Sequence, residues 1–266
     1  MTSLRTRTSF GRVAALVLTL LAMPLAGCAT AGRETTAAAD DANDPLEGLN
    51  RTVYGFNQIA DFLIINPAAE IYRTVLPDPV ERSVRNFLRN LSSPLVLANQ
   101  LLQGDWEGAK NAGSRFVINT VGGVGGLFDV ADGMGYPYQH EDFGQTLGVW
   151  GLPEGAYLVL PILGPSSLRD ATGIGVEWFS DPVNILAENN GYGWVPITRG
   201  ATTGLDARNE YRGVIDDVRR NSIDPYAQFR SLYRQRRASE IRDGRSAPGG
   251  TTEFPEFEDT PATPAR

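Results

Sequence analysis

Residues 44–63 read DPLEGLNRTVYGFNQIADFL, and this stretch predicts the fold class. Asp44 stands at an N-cap position, Pro45 suits the first helical position, and Glu47 completes a capping box. Apolar residues then recur at helical spacing: Leu46, Leu49, Val53, Phe56, Ile59 and Leu63. This spacing is typical of an amphipathic helix with one apolar face.

Similar signals recur along the chain. Asp78-Pro79-Val80-Glu81 predicts a helix reaching Leu91, and Ser167-Leu168-Arg169-Asp170 predicts another after residue 167. Asp105 predicts a helix to about Asn119. Further helices are expected at 94–103, at 211–218 and from Pro225, where the late arginines Arg234, Arg236 and Arg237 suit the negative end of the helix dipole. A mainly α fold is therefore expected.

Two glycine-rich stretches interrupt this pattern. Residues 122–126 and 133–135 contain too many glycines for a stable helix, because each interior glycine costs about 1 kcal/mol relative to alanine. They predict a mobile loop or hairpin. Residues 144–165 contain repeated glycines and prolines, which favours extended or turning backbone.

The N-terminus has the pattern of an export signal. Three arginines precede the apolar residues 13–25, and Leu25-Ala26-Gly27-Cys28 follows as a lipoprotein cleavage motif. The apolar segment spans about 20 Å as a helix, too short for a hydrocarbon core of roughly 30 Å. Cys28 is the predicted lipid anchor, carrying acyl chains such as palmitate. Ala29 and Ala31 leave open cleavage at a small-residue site and free secretion.

Four segments are predicted: a signal peptide (1–27), a lipidated flexible tether (28–43), a helical domain (44–245) and a disordered acidic, proline-rich tail (246–266). Removing the signal peptide removes three arginines and no acidic residue, so the net charge changes from −7 to −10. Nucleic acid is excluded as a partner, because phosphate neutralisation needs a concentrated basic face.

The residues needed for common catalytic chemistry are missing. His140 is the only histidine, and the chain has no Gly-x-Ser-x-Gly motif to provide a nucleophile. One histidine and one cysteine do not make a zinc cluster. The glycines at 122–126 lack the Gly-Lys-Ser/Thr ending of a phosphate-binding loop. The sequence therefore predicts no enzyme, cofactor or metal, and a loop role for His140 is favoured over a catalytic one.

A series of short motifs runs along the chain in a fixed order. It consists of DPLEGLNR (44–51), YGFN (54–57), NFLRNL (86–91), LQGD (102–105), RF and NT (115–120), GGLFDVA (125–131), DFGQTLG (142–148), LP and LRD (160–170) and DPY (224–226). Together these motifs resemble the MlaA/VacJ family of outer-membrane lipoproteins, from about Asp44 to Arg237. Gly55 is a departure, since some relatives carry asparagine there.

The resemblance implies a ring-shaped bundle of amphipathic helices around an amphipathic channel, lying in the outer membrane of a Gram-negative bacterium. Such proteins remove mislocalised phospholipids from the outer leaflet and pass them to a periplasmic lipid-carrier protein, which maintains lipid asymmetry. The implied partners are phospholipid, a trimeric porin and that carrier. The expected location is the periplasmic face of the outer membrane. A structural envelope scaffold associated with porins is the alternative.

Two segments are candidates for shaping or gating the channel. They contain Tyr54, Gly55, Phe56 and Asn57 in the first helix, and Gly122, Gly123, Gly125 and Gly126 in the glycine-rich loop, which we extend to residue 135. The alternative interpretation is that Phe56 is a core residue and that the glycines only turn the chain. For Trp150, Trp178 and Trp194 we expect packing in the core or at a membrane interface.

Overall fold

The computed structural model describes residues 44–242 and is mainly helical, as predicted. The helices are α1 (Glu47–Ala60), α2 (Asn66–Val75), α3 (Asp78–Gln103), α4 (Trp106–Val121), α5 (Val130–Gly133), α6 (Phe143–Val149), α7 (Leu168–Ser180), α8 (Pro182–Asn189), α9 (Val195–Glu210), α10 (Arg212–Asn221) and α11 (Pro225–Ile241). Strands β1 (Tyr157–Leu160) and β2 (Gly164–Ser167) form an antiparallel hairpin in which Tyr157 lies opposite Ser167.

The first helical segment is longer than its spacing predicts. A π-helical turn, Asp61–Ile65, joins α1 to α2, so the chain stays helical to Val75. The predicted cap is wrong, because α1 has no side-chain cap and Asp44 is buried. The Asp44 carboxylate accepts hydrogen bonds from Asn50 (2.8 Å) and Arg230 (2.6 Å), so it ties α1 to α11 instead.

The segments expected at 80–91 and 94–103 form one helix, α3, with Pro94 in its interior. Proline removes one backbone donor and disfavours a helix interior, so the sequence predicted a break there. Long-range packing on both sides of Pro94 outweighs this local cost. Asp78 does not cap α3, which begins after Pro77 without a side-chain cap.

The expectation of extended or turning backbone over 144–165 is correct only in part. Its first residues form α6, capped by the Asp142 carboxylate, which accepts from the Gln145 N–H at 2.9 Å. Gly144 is needed for packing rather than for turning. A Cβ there would lie 2.5 Å from the Arg237 guanidinium and 2.7 Å from the Asp170 carboxylate.

Other start signals act as predicted. The Asp105 carboxylate accepts from Glu107 and Gly108, and the Ser167 hydroxyl accepts from Asp170. Helices α8 and α9 were not predicted. Asp181 caps α8 and is followed by Pro182, which is the same Asp-Pro signal that was used elsewhere.

Packing between the elements closes into a circuit within residues 44–242. Helix α1 contacts the π-helical turn, which contacts α2; the circuit then runs through α9, α3, α6, α11, β2 and β1 back to α1. A small aromatic core lies where the circuit closes, built from Tyr157, Val159 and Tyr226 with Val53, Tyr54 and Tyr233 against it.

Several predictions fall outside the described residues. They are the signal peptide at 1–27, the lipid anchor Cys28, the tether and the C-terminal tail. Within residues 44–242, the structure contains no helix with the length and hydropathy to cross a bilayer.

Candidate functional site

The distribution of polar and apolar side chains in residues 44–242 is opposite to that of a typical water-soluble domain. Twenty buried side chains are polar or charged, whereas ten are hydrophobic. Thirty-nine large hydrophobic side chains are exposed at the same time. Charged residues are rarely buried unless they are paired, and extensive exposed apolar surface marks a contact with a partner or a membrane. The outside of this protein therefore suits apolar surroundings.

One part of this exposed surface lies on α1 and the π-helical turn. Phe56, Ile59, Phe62, Leu63 and Ile64 are 53% to 75% exposed, and we call them the apolar face. Phe62, Leu63 and Ile64 are consecutive, so apolar surface wraps around much of the π-helical turn. The alternative interpretation of Phe56 as a core residue is wrong, because more than half of its surface is exposed.

A second exposed apolar region lies on α7, α8 and the start of α9. It includes Trp178, Phe179, Leu186 and Trp194, of which Phe179 is 78% exposed. Trp150 is also exposed, and its indole N–H donates to the Leu102 carbonyl at 2.9 Å. Core packing of the tryptophans, one of the two expectations, is therefore wrong. Exposed tryptophans suit a membrane–water interface, where one end of the ring is apolar and the other is hydrated.

The inner side of the π-helical turn has the opposite chemistry. Asp61 and Asn66 are five residues apart, which in an α-helix separates side chains by about 140°. The wider π turn, closed by the Asn66 N–H donating to the Asp61 carbonyl, brings both to one side. The Arg208 guanidinium then donates to Asp61 (2.8 Å) and to Asn66 (3.2 Å).

Arg219 completes this buried ionic cluster by donating to the other Asp61 oxygen at 2.6 Å. Burial by itself raises the pKa of Asp61, but hydrogen bonds from Arg208 and Arg219 outweigh it, so the pKa lies below its usual value. Asp61 therefore stays ionised and joins the first helical segment to α9 and α10.

Within the first candidate segment, Tyr54 and Gly55 have different surroundings. The Tyr54 ring lies 5.8 Å from that of Tyr226 and 6.1 Å from that of Phe229, which places it in the aromatic core. A Cβ at Gly55 would have no other atom within 4 Å, so packing does not require glycine at this position.

Asn57 contacts the β-hairpin, and Asn50 makes the same kind of contact one heptad earlier. The Asn50 amide donates to the Tyr157 carbonyl and accepts from the Val159 N–H, both at 2.9 Å. The Asn57 amide donates to the Leu160 carbonyl (2.9 Å) and accepts from the Ile162 N–H (2.7 Å). Seven helical residues and three strand residues both span about 10 Å, so the two amides match the strand edge. We call this pair the asparagine clamp.

The second candidate segment is a compact set of turns at 122–128, closed by backbone hydrogen bonds. Gly125 and Gly126 have φ values of +70° and +95°, which favour glycine. A Cβ would lie 3.0 Å from the Ile118 carbonyl oxygen at Gly122, 2.1 Å from the Phe128 carbonyl oxygen at Gly123, and 2.4 Å from the Asn90 Cβ at Gly126. These glycines are required for packing, and their role in gating stays a prediction.

Arg237 is the centre of a second buried ionic cluster. Its guanidinium donates to both oxygens of Asp142 at 2.6 Å and lies 2.8 Å from Asp170, which also accepts from the Tyr233 hydroxyl and from the Arg169 Nε (2.9 Å). Burial by itself raises the pKa of Asp142, but its hydrogen bonds from His140 and Arg237 place the pKa well below the usual range. The predicted dipole role of Arg237 is wrong, because it lies inside the protein rather than in the last turn of α11.

His140 lies at the edge of this cluster, with Nε2 3.5 Å from the Asp142 carboxylate. Burial by itself lowers the pKa of His140, but the hydrogen bond and the charge of Asp142 raise it overall. The imidazole is thus an ion-pair partner of a carboxylate that Arg237 already holds. In the part of the chain that the structure describes, no group of three or more histidine, cysteine or acidic side chains is arranged to hold a metal.

The family model described as the MlaA lipoprotein matches residues 42–240. The chain belongs to the MlaA lipoprotein family. The helical domain described above, with its buried charged clusters and exposed apolar side chains, is therefore that of an MlaA family member.

Individual relatives agree with this assignment. The protein named intermembrane phospholipid transport system lipoprotein MlaA from Escherichia coli K12 is 37% identical over 220 residues, covering 80% of this chain and 82% of the relative. The Haemophilus influenzae protein of the same name is 31% identical, with 86% and 91% covered. A Rickettsia felis protein without an assigned function is 36% identical, with 74% and 77% covered.

A solved structure described as the structural basis for maintenance of bacterial outer membrane lipid asymmetry has the same fold. Its TM-score is 0.66 at 32% identity, and the match covers 74% of this chain and 98% of the other. The MlaA assignment implies an outer-membrane lipoprotein of a Gram-negative bacterium.

Sequence reasoning missed the ionic clusters of this MlaA protein. The pairs Asp44–Arg230 and Asp61–Arg219 join residues more than 150 positions apart, so local spacing contains no sign of them. One signal was available. Asp61 interrupts an otherwise apolar run, Ile59 to Ile65, and an isolated carboxylate in such a run predicts a buried partner.

Proposed function

We propose that this lipoprotein removes mislocalised phospholipids from the outer leaflet of the outer membrane and passes them through an amphipathic channel to a periplasmic lipid carrier. The names of the Escherichia coli and Haemophilus influenzae relatives support phospholipid as the substrate, and the description of the related solved structure supports the outer membrane as the location. The transfer is retrograde, from the outer membrane toward the cell interior, and it maintains lipid asymmetry.

The observation that carries the proposal is the opposite placement of polar and apolar side chains. Two acyl chains contain about 30 methylene groups, so exposing them to water costs roughly 24 kcal/mol at about 0.8 kcal/mol each. A path for a whole phospholipid must shelter the chains and keep the headgroup hydrated. The closed circuit of packed elements supports such a path: its buried polar side chains hold the elements together, and its exposed apolar side chains are the surface that shelters the acyl chains.

The anchor and the partners belong to the same proposal. Acylated Cys28 holds the protein on the periplasmic face of the outer membrane, since several acyl chains give stable attachment where one gives only marginal binding. The exposed apolar regions on α1 and on α7–α9 face lipid or a trimeric porin. The sequence contains no nucleotide-binding motif, so the carrier and the systems beyond it supply direction.

We propose gating roles for the two candidate segments as well. The asparagine clamp fixes the β-hairpin through two side chains, so the hairpin can separate from α1 without breaking the helix. The glycine turns at 122–128 are held by their own backbone and by Asn90, and they form the fixed side of the opening. The names of the Escherichia coli and Haemophilus influenzae relatives describe transport, and we propose that the protein acts without a catalytic step.

The test is the amount of phospholipid on the cell surface. A strain lacking the gene should expose phospholipid to an externally added phospholipase, and the full-length gene should reverse this. Cys28→Ala should fail to reverse it, because the anchor is lost. Lipid analysis of the purified protein separates transport from scaffolding: a transporter copurifies with phospholipid. Unchanged surface phospholipid in the deleted strain would contradict the proposal.

A further inference from the structure

Two arginine–tyrosine stacks lie beside each other where four parts of the chain meet. The Arg89 guanidinium of α3 lies 4.4 Å from the ring centre of Tyr138, in the segment between α5 and α6. The Arg236 guanidinium of α11 lies 5.2 Å from the ring centre of Tyr211, at the junction of α9 and α10. We call these four residues the arginine–tyrosine cluster.

Carboxylates join and neutralise the two stacks. Glu210 accepts from Arg89 at 3.3 Å and directly precedes Tyr211, so it links one stack to the other. Glu240 accepts from the Arg236 Nε at 2.7 Å. A guanidinium carries five N–H donors, and each of these ion pairs uses one of them. Both arginines therefore have donors to offer a further acceptor.

The surroundings of Arg236 differ from those of an ordinary surface arginine. Its side chain is 52% exposed, yet burial by nearby protein is the strongest influence on its pKa, although Glu240 raises that pKa overall. Arg73 has a similar exposure of 45%, but its pKa is raised mainly by the hydrogen bond to Glu70. At similar side-chain exposure, Arg236 thus has more protein around it than Arg73.

Tyr138 of the cluster and the nearby His140 also combine a partly exposed side chain with a pKa on which burial has the largest influence. His140 is 49% exposed, and burial is again the strongest influence on its pKa, opposed and outweighed by Asp142. Tyr138 is half-buried, and burial raises its pKa although the charges of Arg89 and Arg115 lower it. A small polar cavity borders Arg89 and Tyr138. One stack of the cluster therefore borders a polar cavity, and the other has a half-exposed guanidinium.

We propose that the arginine–tyrosine cluster binds the phosphodiester of a phospholipid headgroup while the lipid passes through the protein. This inference rests on the proposed transport function and adds the site that holds the headgroup. A planar guanidinium matches two phosphate oxygens, and stacking on tyrosine fixes the plane of that fork.

The glutamates make this site suitable for passage rather than for tight binding. Before a lipid arrives, Glu210 and Glu240 each accept from one arginine. A phosphodiester then replaces them, so the bound lipid gains only the difference between two ionic contacts. A conducting site must bind strongly enough to admit its substrate and weakly enough to release it. The displaced carboxylates can pair with the ammonium group of a zwitterionic headgroup.

The test uses the full-length, acylated protein in vesicles of phosphatidylethanolamine and phosphatidylglycerol. Trace photoactivatable phosphatidylethanolamine, or a photoactivatable diacylglycerol that lacks phosphate, reports contact by cross-linking. The double variant Arg89→Gln with Arg236→Gln should lower cross-linking of the phospholipid by about tenfold or more, because two charged hydrogen-bonding groups are lost. Cross-linking of the diacylglycerol should be unchanged.

The matched control is Arg82→Gln, which changes an exposed arginine on the same helix as Arg89 and should leave both probes unaffected. If the glutamine variants do not fold, Arg89→Lys with Arg236→Lys keeps the charges but loses the planar fork, and it should give an intermediate loss. Equal loss of both probes, or wild-type cross-linking in the glutamine and lysine variants, would overturn the proposal.

Measuring surface phospholipid in cells distinguishes failure of the headgroup-site proposal from failure of the proposed transport function. The wild-type gene should restore a low level in the deleted strain, and the glutamine double variant should restore it poorly. If the double variant restores it fully, the protein transports lipid without this site. If the wild-type gene has no effect, transport itself is contradicted.

Discussion

The outer and inner sides of the segment 47–75 have opposite chemistry, although both belong to one continuous helical path. The outer side presents Phe62, Leu63 and Ile64, each more than 60% exposed. The inner side buries Asp61 between Arg208 and Arg219. Charged contacts thus join the elements of this protein, while many of its large apolar side chains are exposed. Substitutions inside should therefore unfold it, and substitutions outside should only detach it from lipid.

The largest effect is expected inside the Arg237 cluster. Arg237→Met leaves Asp142 buried without its main cation and removes one of the two guanidinium groups at Asp170, and breaking a buried pair in this way typically costs about 3–5 kcal/mol. Denaturant unfolding in detergent measures the free energy. Arg82→Met, on an exposed position, should change it by less than about 0.5 kcal/mol. Equal stability of the two variants would remove the distinction between inside and outside.

The second-largest loss of stability is expected for a substitution in the glycine turns at 122–128. Gly126→Val places a Cβ 2.4 Å from Asn90 at a φ of +95°, so both a clash and backbone strain arise, and we expect a loss of about 2–3 kcal/mol. The control is Gly113→Ala within α4, where the nearest atom is 3.9 Å away. That change should be neutral or should stabilise by up to about 1 kcal/mol. Thermal unfolding of both variants checks the prediction, and a neutral Gly126→Val would contradict it.

The asparagine clamp should give a smaller and more local effect. Asn57→Ala removes both contacts to the hairpin, at a cost of about 1–2 kcal/mol. Hydrogen exchange should accelerate at the Ile162 amide while α11 amides stay protected. Asn190→Ala removes an amide that bonds only to its own helix and serves as the control. Unchanged exchange at Ile162 would show that other contacts hold the hairpin.

The smallest effect concerns His140 and pH. The folded-state pKa of His140 is raised above its usual value of about 6.5. The contribution of His140 to the free energy of unfolding is therefore fully present below about pH 6.5 and is lost as the pH rises through the folded-state pKa. The stability difference between wild type and His140→Gln should therefore shrink at alkaline pH. We expect it to stay below about 1 kcal/mol, because the side chain is half exposed. A difference that grows with pH would contradict this sign.

Local signals predicted much of the helical architecture. Apolar spacing predicted the amphipathic helices, and Asp105 and Ser167 cap helices as expected. Long-range contacts explain the errors. Asp44 has the sequence context of a cap, but Asn50 and Arg230 bind its carboxylate, so the cap does not form. Pro94 predicts a break, yet α3 continues through it.

The candidate site was predictable only in part. The segment containing Asn57 was singled out, but its two contacts to the hairpin depend on residues more than 100 positions away. The π-helical turn could not be predicted either, because the partner that uses its geometry, Arg208, lies more than 140 positions away along the chain. The arginine–tyrosine cluster likewise assembles from four separate parts of the chain.

Quenching of site-specific labels tests most directly the difference between the apolar face and the arginine–tyrosine cluster. Fluorophores attached to F62C and to Y211C, in the acylated protein in vesicles, should respond to different quenchers. We predict that lipids brominated in their acyl chains quench the F62C label, whereas aqueous iodide quenches the Y211C label. Strong iodide quenching at F62C, without quenching by brominated lipid, would contradict the account.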